Sequence, residues 1–544
     1  MKAFVVAVYV AVAVIQTAPL AWHVRTSIPF GNDTVATVPR LNVWMLWWNE
    51  DRLLHAYRGY WQAPIFDPEP NALAYTEPEW LTGLVASPLW WIGAPPPLVY
   101  DAVVLAALAL TGLAGYRLAR TLGIRRRAAV GAGLLAEMLP TIADQLGVLQ
   151  SITVVPALIM TLAALARFGR TGGLAPALGV ALWFAASFHT SSNMALFFAP
   201  MVALGVVVLA GERLLRVRTV VALAVAGAVA AALIAPVALV QRRVLETMPR
   251  HDEREIAGSS AHLGTYTEMA ATNLLRRRPP DRKEATLFPG FGLPILAAVG
   301  VAHGLRRRRL RRWTVYALLA VALCAVLSFG PLLDHVELGA VLGAPYHFLL
   351  RTYPGFRFAR NLWRFGAVAQ VFLTTLAGLG LAACFGRRRV ILGAVVTIAV
   401  AVELLATPIP LLDLGADAAR AEWVQWLAHS PPQTTLIHLP MPTGLMAEDF
   451  ERTTYWMDCQ MYHHRRIANG YGAYVPSRTA LLMQVMPGFP DAASIRALQY
   501  FEIDHVAASA EWSTPEHAER VRQWGKWVVP ELVTSEMTIY RLVR

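Results

Sequence analysis

The chain has 544 residues, of which 56% are hydrophobic and only 15% charged, with a formal net charge of +12. Ordinary soluble proteins carry about 25% charged residues. This composition therefore excludes a typical soluble enzyme, and it excludes intrinsic disorder, which needs low hydrophobicity and high charge. All but three of the 48 basic residues are arginine, and Cys324, Cys384 and Cys459 offer neither a disulfide framework nor a zinc spacing.

A membrane span needs about 20 mainly apolar residues. In chain order such stretches fall near 3–22, 98–116, 128–145, 150–167, 174–190, 194–211, 219–240, 288–304, 314–332, 366–386 and 390–410, about eleven in all. The apolar piece 81–93 is short, contains Pro88 and reads as interfacial. With the N-terminus inside, the short connections 117–127, 168–173, 212–218, 305–313 and 387–389 all lie on one side, and all carry arginine, as cytoplasmic loops do. A wrong span count would split these runs between two faces. Three long segments, 23–97, 241–287 and 333–365, then lie outside, with everything after about 413. Residues 1–21 also fit, less well, a cleavable signal peptide, because the n-region holds a single lysine.

The predicted fold is mainly α: a polytopic transmembrane bundle of about eleven helices over 1–412, then an extracytoplasmic α/β domain over 413–544. Within that tail, 417–429 has helical spacing, with Trp423, Trp426 and Leu427 on one face. Residues 434–439, 505–508 and 537–542 read as strands, and 494–501 and 515–527 as helices, an alternation that favours a small α/β layer.

Three groups of residues could carry chemistry. The first outer segment reads Pro29-Phe30-Gly31-Asn32-Asp33-Thr34, then Trp44, Trp47, Trp48, Trp61 and Tyr75-Thr76-Glu77-Pro78-Glu79. Asp33 follows the first span, where a carboxylate could take a proton from an incoming nucleophile; a plain Asn-Asp turn is the competing reading. Trp44, Trp47, Trp48, Trp90 and Trp91 read first as an interfacial aromatic belt and second as sugar-stacking surfaces. Asp101, Glu137, Asp144, His189, Asn193 and Glu403 fall within or at the ends of spans, where ionisable and polar groups are costly and mark functional candidates. Arginines crowd two outer segments, where topology alone does not call for them. Arg357, Arg360 and Arg364 follow i, i+3, i+7 spacing, so one helical face could present all three. Their forked donors suit a phosphate, with head-group or acid pairing as the alternative. No Walker A loop, dinucleotide fingerprint, HExxH or GxSxG motif occurs, so nucleotide hydrolysis, nicotinamide chemistry and zinc proteolysis lack support.

Taken in order, Asp33, Trp61 through Pro68, Tyr75-Thr76-Glu77, Tyr100-Asp101, the Pro354–Phe365 arginine segment, Ile467-Ala-Asn-Gly-Tyr-Gly and Phe489-Pro490-Asp491 form a familiar set. The sequence resembles the bacterial GT-C class of membrane glycosyltransferases, especially its members related to YfhO-like proteins. That resemblance implies transfer of a sugar from a polyprenyl-phosphate donor to an acceptor on the outer face of the cytoplasmic membrane. It implies that Asp33 is the catalytic acid-base residue, with Glu77 as a second acid. It further implies that Arg357, Arg360 and Arg364 hold the donor phosphate, with Trp61, Tyr75, Glu79 and His189 as further substrate contacts. The implied partners are the bilayer, the lipid-linked donor and an acceptor, with no nucleic acid. No bound cofactor and no metal-ligating residues are expected, and dependence on a divalent metal stays open. Two departures bear on this: Asn32 stands where many relatives have a first acid, and Gly147-Val148-Leu149-Gln150 stands where relatives often carry a Gly-His-x-Gln turn. A non-enzymatic role in transport or assembly of cell-surface glycan or lipid is the rival expectation. Transporters commonly show internal repeats, and none is visible here.

Overall fold

A computed structural model describes residues 2–31, 35–249, 251–276, 286–385, 389–415 and 417–543. Hydrocarbon offers backbone groups no hydrogen-bond partners, so each crossing must satisfy its own as helix. The bundle helix α1 (Lys2–Gln16) is followed by two helices of the first outer segment, α2 (Thr37–Leu54) and α3 (Trp80–Trp91). The other bundle helices are α4 (Pro96–Thr121), α5 (Arg126–Glu137), α6 (Val155–Thr171), α7 (Leu174–Thr190), α8 (Ser192–Ala210), α9 (Val217–Leu245), α10 (Gly292–Arg306), α11 (Arg308–Phe329), α12 (Arg364–Cys384) and α13 (Val390–Leu404).

Among the described residues, six helical stretches are long and apolar enough to cross a membrane, namely Pro96–Thr121, Leu149–Thr171, Ser192–Leu215, Val217–Leu245, Arg308–His335 and Arg364–Cys384. Four shorter apolar helices, Ala3–Gln16, Leu174–Thr190, Gly292–Arg306 and Val390–Leu404, occupy four more predicted spans. The remaining one, 128–145, is interrupted: α5 stops at Glu137 and helix resumes at Pro140–Asp144. Pro140 has no N–H and crowds the preceding turn, so a new helix begins with it.

Small residues let the helices approach closely, as membrane packing requires. A Cβ on Gly300 of α10 would stand 1.9 Å from the Leu376 carbonyl oxygen of α12. The short arginine loops share one end: Arg170 donates to the Thr121 carbonyl, and the Arg312 guanidinium lies beside Gly211. Two of the ionisable span residues serve backbone. Glu403 accepts from the N–H groups of Phe291 and Gly292 (2.5 and 2.8 Å), at the start of α10. Asp144 accepts from the Thr286 N–H at 2.8 Å. Asp101 and Glu137 are buried, their carboxylate oxygens without hydrogen-bond partners among the described residues.

The C-terminal part is joined to the start of the chain by a two-stranded antiparallel ladder, β1 (Ser27–Pro29) on β2 (Leu411–Asp413). Its own sheet has five strands in the order β4-β3-β5-β7-β6, where β3 is Thr435–Leu439, β4 Arg466–Ile467, β5 His505–Ser509, β6 Val528–Val533 and β7 Met537–Leu542. β3 pairs in parallel with β4 and β5, while β7 runs antiparallel to β5 and β6. The expected helix over 417–429 is two pieces, Asp417–Arg420 and Glu422–His429. The expected helix 515–527 ends at Gln523, because the chain must turn into β6. A further helix, α14 (Glu451–His463), packs against α2.

That contact corrects the aromatic-belt reading of Trp44, Trp47 and Trp48. All three are buried. Trp44 stacks on Trp48 at 6.0 Å and donates its indole N–H to Gln460 of α14 at 2.9 Å, and Trp47 meets His464. α2 is apolar on several faces because it is sandwiched between bundle and tail, not because it meets lipid. Trp91 of α3, 55% exposed, is the ring that keeps an open face. Trp44→Ala should therefore cost about 3–5 kcal/mol, the usual loss for truncating a buried tryptophan, seen as a lowered thermal midpoint of the detergent-solubilised protein.

Candidate functional site

A cavity of about 930 Å³ opens at the end of the bundle where the long outer segments meet. Six pieces of chain line it. The first outer segment gives Tyr75 and Glu77; the turn before α6 gives Gln145, Val148 and Gln150; the start of α8 gives Ser192 and Asn193; the end of α9 gives Gln241, Arg242 and Glu246; the stretch before α12 gives Arg351, Arg357, Arg360 and Arg364; and the tail gives Tyr471–Tyr474.

Glu77 fixes the first wall. Its Oε1 accepts from the Asn193 N–H at 2.7 Å and from the Ser191 and Ser192 hydroxyls at 3.0 and 3.2 Å. The first N–H groups of a helix lack intrahelical partners, and the helix dipole favours negative charge there. Glu77 thus binds the outer segment to the N-terminus of α8. The tail is pinned one step away: the Ala473 N–H donates to the Tyr75 carbonyl at 2.8 Å, and a Cβ on Gly472 would lie 2.7 Å from that same oxygen. Arg466–Asp67 (3.2 Å) and Arg478–Glu69 (3.7 Å) brace this seam, and the Tyr75 hydroxyl donates to Glu69 at 3.1 Å.

The arginines reach the cavity, but not from one helical face. Pro354 and Gly355 (φ +83°) end the preceding helix, only Phe356–Phe358 makes a 3-10 turn, Asn361 is left-handed (φ +59°), and α12 starts at Arg364. The i, i+3, i+7 spacing is thus not what gathers Arg357, Arg360 and Arg364; the segment wraps around the cavity mouth instead. Arg242 pairs with Glu246 at 2.7 Å and Arg360 with Glu255 at 3.1 Å. Arg351, Arg357 and Arg364 have no carboxylate partner among the described residues. Arg364 is 9% exposed, and its Nε and Nη1 have no hydrogen-bond acceptor among the described residues.

Of the residues singled out from sequence, Tyr75, Glu77, Arg357, Arg360 and Arg364 line this cavity. Trp61, Glu79 and His189 lie off it. Trp61 packs on Tyr60 (5.3 Å). His189 donates through Nε2 to the Leu233 carbonyl at 3.0 Å and lies edge-on to Trp80. Glu79 is buried at the start of α3, left-handed at φ +47°. With the Asn42 amide turned to face its acceptors, Nδ2 donates to Glu79 Oε1 (3.0 Å) and Gln150 Oε1 (3.1 Å), and Oδ1 accepts from the Leu149 N–H (2.9 Å). Burial, then the neighbouring Glu77 charge, holds the Glu79 carboxyl well above the ordinary carboxylate range. Asp33 lies outside the described residues, as do Arg277, Arg278 and Arg282 of the arginine-rich outer segment. A Cβ on Gly31 would meet the Asp144 carbonyl oxygen at 2.8 Å and the Gly147 nitrogen at 2.9 Å, and Val38 of α2 lines the cavity. Gln145 and Tyr474 also line the cavity without a sequence signal of their own, whereas Arg351 belongs to the arginine-rich segment and Gln150 to the Gly147–Gln150 turn noted from sequence.

No protein-family model matches the chain, and no curated protein matches it by sequence. Solved structures do match. The arabinofuranosyltransferase AftD from Mycobacteria is similar over 100% of this chain and 40% of its own, at 13% identity and TM-score 0.56. A mutant of that enzyme is similar over 99% and 41%, at 14% identity and TM-score 0.58. An archaeal oligosaccharyltransferase, AglB from Archaeoglobus fulgidus in complex with an inhibitory peptide and a dolichol-phosphate, is similar over 94% and 70%, at 12% identity and TM-score 0.49. The chain shares its fold with GT-C membrane glycosyltransferases. At such identities the likeness is one of fold, and the chain spans only 40% of the length of AftD.

The buried Glu79 gives a pH test. A carboxyl whose folded pKa is raised contributes stability that is complete below its unfolded value, about 4.3, and is lost as pH rises toward the folded one. Thermal midpoints measured from about pH 5 to pH 8 should fall in the wild type relative to Glu79→Gln, whose neutral amide keeps the Asn42 contact without that loss.

Proposed function

We propose that the chain is an integral membrane glycosyltransferase that moves a sugar from a polyprenyl-phosphate donor to an extracytoplasmic acceptor in a bacterial cytoplasmic membrane. The observation that carries this reading is the cluster Arg351, Arg357 and Arg364, which faces a large cavity and forms no ion pair among the described residues, with the Glu77 charge near Arg364. An unpaired buried guanidinium such as Arg364 is costly, and a ligand phosphate would complete it with charge-assisted hydrogen bonds. One wall of the cavity is the end of α9, a helix with only 11% of its apolar window buried, against 61% for α4. A lipid-linked phosphate can reach such a site sideways from the bilayer, whereas a water-soluble nucleotide sugar has no use for an apolar flank.

In the proposed reaction the acceptor hydroxyl oxygen attacks the anomeric carbon while the bond from that carbon to the phosphate oxygen breaks. The electron pair leaves with the phosphate, and the arginines stabilise the charge it gains. The acceptor proton goes to a carboxylate, for which Asp33 is the choice. Glu77 spends Oε1 on three donors of α8, so its part is to hold the first outer segment against the cavity and offer Oε2 to the acceptor.

The purified protein, reconstituted in liposomes with a panel of polyprenyl-phosphate sugars, should consume one of them, followed by mass spectrometry. Asp33→Asn should abolish turnover without loss of folded protein. Arg364→Gln should lower turnover at least about a hundredfold, the scale of losing a charge-stabilising donor. Full turnover in Asp33→Asn would remove that residue from the mechanism. Failure of the folded wild type to consume any donor would return the chain to a transport or assembly role.

A further inference from the structure

One histidine ties three walls of the cavity together. His251 lies in the outer segment after α9, its side chain 9% exposed, and it lines the cavity. Nδ1 is 2.8 Å from Glu255 Oε1. Nε2 is 3.0 Å from the Tyr474 hydroxyl, and the two rings stack at 5.3 Å. Glu255 Oε1 also accepts from Arg360 at 3.1 Å. The Tyr474 hydroxyl donates to the Phe358 carbonyl at 3.1 Å. The ring therefore meets its own segment through Glu255, the tail through Tyr474, and the arginine segment through both.

The protons in this network can be counted. Burial pushes the Tyr474 hydroxyl up to about 12, so it keeps its one proton at ordinary pH. That proton goes to the Phe358 carbonyl, so toward His251 the hydroxyl can only accept, and Nε2 must donate. The ring is thus held through its Nε2–H, with Glu255 against its other nitrogen.

We propose that His251, donating from Nε2 to Tyr474, is a positioning residue that clamps the Phe358–Arg360 stretch to the tail loop and so sets the aim of Arg357 and Arg360 into the cavity. What the clamp serves rests on the lipid-phosphate reading; the clamp itself does not. Hydrogen–deuterium exchange of the full-length protein in nanodiscs reads the clamp, and binding of a polyprenyl monophosphate reads its consequence. In His251→Ala, amides of 354–364 and 471–474 should exchange about tenfold faster or more, and the probe should bind about tenfold more weakly. His251→Gln keeps a side-chain donor and should restore most of both, whereas His251→Leu, which keeps bulk without a donor, should not. Unchanged exchange in His251→Ala would overturn the clamp. Equal exchange in the glutamine and leucine variants would overturn the Nε2 hydrogen bond as its link. A wild type that ignores the probe would sink the lipid-phosphate reading, while the exchange comparison still decides the clamp.

Discussion

The contact between Glu77 and the first turn of α8 organises the functional end of the molecule. A helix ending at a membrane surface leaves its first N–H groups without partners, and here a carboxylate from 114 to 116 residues earlier in the chain supplies the acceptor. The bond does two things at once. It completes α8, and it fixes the strip from Tyr75 to Glu79 at a set distance from the bundle. The tail then docks on that strip through the Tyr75 carbonyl. The cavity is what remains enclosed between bundle, strip and tail.

Charge follows from the same arrangement. Of the carboxylates near the cavity, Glu77 is committed to α8, Glu246 to Arg242 and Glu255 to Arg360. Tyr75 occupies Glu69, and Glu79 sits below the wall, shielded by Asn42. Among the described residues these acids are engaged in structure, and none forms an ion pair with Arg351, Arg357 or Arg364, though the Glu77 charge lies near Arg364. Donors held in place before a ligand arrives need no reorganisation when charge develops on it.

What could be read from sequence divides along physical lines. Spans were legible because hydrocarbon imposes the same length and apolarity on every crossing, and arginine runs marked one end of the bundle. The break at Pro140 was available in the residue itself, yet an apolar run hid it. Trp44, Trp47 and Trp48 misled because an aromatic helix against lipid and one against protein have the same composition; only the partner α14 separates them. The arginine segment announced its residue types but not its path, since Gly355 and a left-handed Asn361 replace the helix that spacing suggested. The partnership of Asn42 with Glu79 and Gln150, and the docking of Tyr471–Tyr474 on the Tyr75 strip, carried no local signal, because they depend on contacts across dozens to hundreds of positions.

Placement along the membrane normal brings these threads together. The arginine loops at one end have short connections and little else, the pattern of a surface held against anionic head groups. The arginines at the other end belong to long segments folded under the tail, where Tyr474, His251 and Glu255 hold the chain that carries them. The first set makes only local contacts, such as Arg170 on the Thr121 carbonyl. The second is fixed by hydrogen bonds from three separate segments and stands beside α9, the helix most open to lipid. Charge that only anchors a protein can stay mobile; charge built into a braced wall, beside an apolar flank, is suited to a ligand that is anionic at one end and hydrocarbon at the other.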